Sequence, residues 1–191
     1  FIEKNDIEKT KSIIDLLDGD IINEFDLYKR IGKDHPLIVA SKKNRIEIIK
    51  LLLKYNIDIN MKMNEHNYEK DNDKTALIIA SKNGFFEICK LLIDNNADVN
   101  IKDFNNKTAL HYAARKNYKN IVKLLVDNGA KINDIYDDNS TALHEASRRG
   151  FREIVEYLIN NGAKMDIPNM YGDTPLTVSN DYEISKLLIE N

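Results

Sequence analysis

Apolar residues along the chain come in short bursts set apart by polar breaks, and the bursts are of two kinds. One is a compact run: LIVAS from Leu37, LIIAS from Leu77, LHYAA from Leu110 and LHEAS from Leu143. The other is periodic: Ile46, Ile49, Leu52 and Leu53; Ile88, Leu91 and Leu92; Ile121, Leu124 and Leu125; Ile154, Tyr157 and Leu158. Spacings of three and four place each of these sets on one helix face. Between the two kinds lie Lys42 to Asn44, Lys82 to Gly84, Arg115 to Asn117 and Arg148 to Gly150. The periodic segments close on Asn96-Ala97-Asp98-Val99-Asn100, Asn128 to Asn133 and Asn161 to Asp166. Gly or Asn there suits a helix end that turns through a left-handed conformation. Each unit therefore reads as helix, turn, helix, extended turn.

The units recur at a fixed interval. Thr75-Ala76-Leu77, Thr108-Ala109-Leu110, Thr141-Ala142-Leu143 and Thr174-Pro175-Leu176 follow one another at 33 residues. A further copy starts at His35-Pro36-Leu37, 40 residues before Thr75, and so carries 7 extra residues. A period of this size marks a stacked repeat architecture. The 33-residue unit, with its T-[AP]-L-H-x-A start and its G-A-x-[IVM]-[ND] ending, resembles the ankyrin repeat over nearly the whole chain. The resemblance implies an all-α solenoid of stacked helix-turn-helix units with β-turn hairpin loops, forming a single domain over residues 1–191. The approximate copies are 1–30 (partial), 31–70, 71–103, 104–136, 137–169 and 170–191 (partial). Neighbour interfaces are expected to rest on Leu77, Ala80, Leu91, Leu92, Leu110, Ala113, Leu124, Leu125, Leu143, Ala146 and Leu158. The extra residues fall in Met61 to Lys70, as a lengthened turn at the edge of the binding face; a contact loop, in which Tyr68 is the side chain of interest, and tolerated drift are both open readings.

Composition narrows the chemistry. At 42% hydrophobic and 31% charged residues, the 191-residue chain is neither disordered nor collagenous. Every apolar run is interrupted well short of the ~20 residues that cross a bilayer, so no membrane contact is expected. A net charge of -3 gives no global attraction for nucleic acid, and none is expected as a partner. Cys89, the lone cysteine, aligns with Val122 and Val155 and reads as a small buried apolar group; it fits a reducing, cytoplasmic setting. Ile, Lys and Asn make up 72 of 191 residues, which points to an AT-rich genome such as that of a parasite, an intracellular bacterium or a large virus. Phe1 stands where a Met would start a chain and no leader pattern follows, so the sequence reads as an excerpt.

No catalytic constellation is present. There is no phosphate-binding glycine loop, nucleophile elbow or H-E-x-x-H, and adjacent loop carboxylates such as Asp137 and Asp138 set no acid/base geometry. Neither a metal nor a cofactor is expected. His111 and His144 sit at equivalent positions, ~10 Å apart by helix packing, too far to share a metal that needs ligands at ~2 Å. The resemblance gives them a structural role instead, in which Thr108 and His111 tie one copy's turn to the next.

What remains is surface. The resemblance assigns partner contact to the turn tips and the exposed side of the first helices, together a concave face. Carried over by position, the tips are Asp71, Asn72 and Lys74; Phe104, Asn105 and Lys107; Asp137, Asp138 and Ser140; Met170, Tyr171 and Asp173. Phe104, Met170 and Tyr171 read either as apolar anchors of the kind that carry interfaces or as side chains packed on the neighbouring turn. The first helices end in Lys42-Lys43, Lys82-Asn83, Arg115-Lys116 and Arg148-Arg149, where seven of the eight residues are basic. Stacked in register they form a basic ridge, while Asp71, Asp103, Asp137, Asp138 and Asp173 make the turn side acidic. Such a face selects an acidic peptide or helix, although cations at helix C-termini are favoured by the helix dipole in any case. The expected function is a non-catalytic protein-binding scaffold, such as a host-directed effector or viral adaptor. The alternative is the ankyrin arm of a larger enzyme, transporter or channel. Oligomeric state is not legible.

Overall fold

The computed structural model describes residues 36–54, 57–62 and 73–191. The partial copy over 1–30, most of the insertion with Tyr68, and the tip residues Asp71 and Asn72 lie outside the described residues. Those described form α1 (Pro36–Lys42), α2 (Ile46–Leu53), α3 (Ala76–Asn83), α4 (Phe86–Asp94), α5 (Ala109–Arg115), α6 (Lys119–Asp127), α7 (Ala142–Arg148), α8 (Arg152–Asn160) and α9 (Tyr182–Glu190). The described residues contain no strand.

Left-handed residues set the course of the chain, three of them in each of the copies 71–103, 104–136 and 137–169. Asn44, Gly84, Asn117 and Gly150 end the first helices with φ between 55° and 78°. The amide that follows each one donates to a carbonyl five residues back, as Phe85 does to Ala80 and Tyr118 to Ala113, both at 3.0 Å. Asn96, Gly129 and Gly162 end the second helices in the same way, and Asp73, Asn106, Asn139 and Gly172 turn the tips. Asn and Gly are the residues that enter this region at least cost. At Gly84 space matters as well, because a Cβ there would meet the Tyr118 ring at 2.7 Å.

First helices stack on first helices in the order α1, α3, α5, α7, and second helices on second helices from α2 through α8 to α9. The close approach follows from a fully buried alanine at one position in each first helix: Ala40, Ala80, Ala113 and Ala146. Leu52, Leu92, Leu125 and Leu158 fill the layer between first and second helices without exposure. Of the expected interface residues, Leu91 and Leu124 are partly buried against this core and the others are buried. Cys89 is buried against Ser81, and loss of solvent raises its thiol to about 11, so it packs rather than reacts.

Candidate protein-interaction surface

The turn tips are held by their own backbone. The Asp103 amide donates to the Lys107 carbonyl, Tyr136 to Ser140 and Asn169 to Asp173. Neighbouring tips are then bonded to each other: the Asp137 amide donates to Asn105 and the Met170 amide to Asp138, at 3.3 and 2.8 Å. A row of tips spaced by hydrogen bonds therefore presents its side chains in fixed order. Phe104, Met170 and Tyr171 stand out from it at 69%, 61% and 74% exposure.

Behind the tips each histidine bonds its own helix cap and a carbonyl further along the chain, which for His144 lies in the next copy and for His111 at the end of its own. Nδ1 of His111 accepts from the Thr108 amide at 3.1 Å, which leaves the proton on Nε2 to be donated to the Asp134 carbonyl at 2.9 Å. His144 does the same between the Thr141 amide and the Asp173 carbonyl. Each ring must be neutral to accept at Nδ1, and burial pushes His111 down to about 4.

The expected acidic turn side is corrected by what the carboxylates do. Asp103 is buried: Oδ1 accepts from the Asn105 and Lys107 amides, and Oδ2 accepts from the Tyr112 hydroxyl at 2.6 Å. Its charge is met by Lys74 at 3.5 Å. Lys74 is therefore also buried, and it cannot reach a partner as the tip assignment expects. Ser140 is buried too. Asn105, Lys107, Asp138 and Asp173 are half-buried, and Asp137 is exposed while accepting from the Asn106 amide group. Lys107 lies over the Tyr136 ring at 4.2 Å, and desolvation pulls its ammonium down from the ordinary lysine range.

The basic ends of the first helices keep their exposure better. Arg115, Lys116, Arg148 and Arg149 are exposed on α5, α7 and the residues that follow, while Lys82 is half-buried. Two of these arginines meet at one group that sequence reading passes over. Glu145 is buried on α7; Oε1 takes the Tyr136 hydroxyl at 2.7 Å and faces Arg115 at 3.8 Å, while Oε2 faces Arg149 at 3.5 Å. Its signal was available in the repeat. Asp103 with Tyr112, and Tyr136 with Glu145, occupy the same two positions 33 residues apart with tyrosine and carboxylate exchanged.

Two family models match the chain: one described as ankyrin repeats in three copies, at residues 62–136 and 133–191, and one described as a single ankyrin repeat, at residues 33–64. The chain belongs to the ankyrin repeat family. Ankyrin repeats are in general protein–protein interaction modules and are typically non-catalytic. No curated protein matches this ankyrin chain. Among its described residues no helix is long and apolar enough to cross a membrane, and no three metal-binding side chains gather.

Proposed function

We propose that this ankyrin array is a non-catalytic scaffold that binds a protein partner through the face built by its tips and first helices, and that the partner presents an acidic peptide or helix. The observation that carries this reading is the exposed set Arg115, Lys116, Arg148 and Arg149 beside the exposed Phe104, Met170 and Tyr171. Apolar anchors supply burial and the cations select by charge. The AT-rich residue usage fits a host-directed effector or viral adaptor working in cytoplasm.

The test uses the chain as bait in lysate from the source or host, beside a variant carrying Phe104→Ala, Arg115→Glu, Lys116→Glu, Arg148→Glu, Arg149→Glu and Tyr171→Ala. A protein retained by the parent and released by a variant of unchanged helicity supports the reading. Equal retention by both refutes the surface assignment.

A further inference from the structure

We infer that Arg115 and Arg149 form a receiving site for a carboxylate side chain of the partner, with Glu145 as a built-in counter-charge that holds the two guanidiniums together while the site is free. This deepens the acidic-partner reading and rests on it.

The geometry carries the assignment. Two guanidiniums from successive copies converge on the two oxygens of one buried carboxylate, at 3.8 and 3.5 Å. Those separations give charge attraction with weak hydrogen bonding, because strong Arg–carboxylate contacts lie at ~2.7–2.9 Å. Glu145 spends its shortest bond on the Tyr136 hydroxyl instead. The side chains of Arg115 and Arg149 remain 43% and 38% exposed. Glu145 engages Nη1 of Arg115 and Nε of Arg149, so each guanidinium, with five N–H donors, has donors beyond those that face Glu145. Two cations against one anion leave a net positive charge, and the exposed Lys116 and Arg148 add to it. A second carboxylate arriving from solvent relieves the repulsion between the arginines and finds donors already in place, which lowers the entropy cost of binding.

Tyr136 fixes the other side of Glu145. Its ring packs edge-on against His111 at 5.3 Å and lies under Lys107, so the carboxylate is anchored to the repeat interface. The site is thus assembled by the stacking of two copies and is absent from either copy alone.

The test is fluorescence anisotropy with a fluorescein-labelled hexaglutamate peptide on the full 191-residue chain. The double variant Arg115→Gln/Arg149→Gln should weaken binding by about tenfold or more, whereas the charge-matched control Lys90→Gln/Lys186→Gln on the second helices should weaken it by about twofold or less. Glu145→Gln keeps an acceptor for Tyr136 and removes the competing charge, so it should tighten peptide binding by about threefold. Circular dichroism and urea midpoints confirm that each variant is folded.

Equal losses in the double variant and the control overturn the site, as does unchanged or weakened binding by Glu145→Gln. Tighter, arginine-dependent binding of a single-stranded oligonucleotide than of hexaglutamate overturns the carboxylate assignment. Retention of a protein by the bait, with a peptide indifferent to the arginine pair, would leave the scaffold reading standing while this one falls.

Discussion

The copy from Thr141 and the copy from Thr174 share the threonine and leucine of their opening and end as different structures. Thr141-Ala142-Leu143-His144 opens a seven-residue helix, whereas Thr174-Pro175-Leu176-Thr177 makes a turn that ends by Val178. Thr177 takes the histidine position and keeps one half of its work: its Oγ1 accepts the Thr174 amide at 2.8 Å. His144 has a second nitrogen that reaches the Asp173 carbonyl of the next copy, while the Thr177 hydroxyl proton points back to Thr174 and Asp173. The local cap survives, and the onward reach of the ring does not. Stability in a solenoid is a sum of interfaces between neighbouring copies, and a copy whose first helix is reduced to a turn offers less of one, so the central copies should behave as one cooperative unit and the last as a weaker appendage.

The largest break in this contrast should come from the core. Leu125→Ala, in a fully buried central position, is expected to cost about 3 kcal/mol and to shift the whole urea transition. Leu188→Ala, slightly exposed on α9, should cost less and raise amide exchange in α9 alone. Hydrogen exchange followed by mass spectrometry reads the difference.

Acid should weaken the central links in a defined window. Folded His111 stays neutral down to about 4, while the unfolded imidazole protonates near its ordinary 6.5. Between those values the unfolded chain binds more protons, so stability is full above the window and falls as pH drops through it, by an order of ~3 kcal/mol for this group. Burial lowers His144 as well and adds to the same trend. Urea midpoints at several pH values should show the fall, and His111→Gln should flatten it.

A smaller effect is expected at the outer turns. Asn100 accepts the Lys131 amide and donates to the Gly129 carbonyl, and Asn133 repeats this with Lys164 and Gly162. Asn100→Ala should cost about 1–2 kcal/mol in urea denaturation, through two neutral bonds. Asp166, the exposed counterpart in the next copy, should tolerate Ala with a change within about 0.5 kcal/mol. Smallest of all, Phe104→Ala on the exposed tip should leave stability within about 0.5 kcal/mol, so that any loss of binding it causes is a loss of contact.

Much of this was legible in the chain. The period of 33, the helix faces and the left-handed ends are written in residue order because each depends on neighbours three to five positions away. Cys89 and the two histidines were equally readable from their alignment across copies. Lys74 and Asp103 were not: both look like surface charges on a tip, and their burial follows from pairing with each other across 29 residues and from the bond of Asp103 to Tyr112. The Asn100 and Asn133 bonds were hidden for the same reason, since their partners lie 29 to 31 residues away.

By itself, then, the sequence determined which segments are helical, where each turns and that the units repeat, since capping, periodicity and left-handed residues act locally. Tertiary structure alone decided which charges remain at the surface. Setting one turn tip beside the next brings Asp103 to Lys74, stacking one copy on the next brings Glu145 to Arg115, and the sign and exposure of a binding face depend on those pairings.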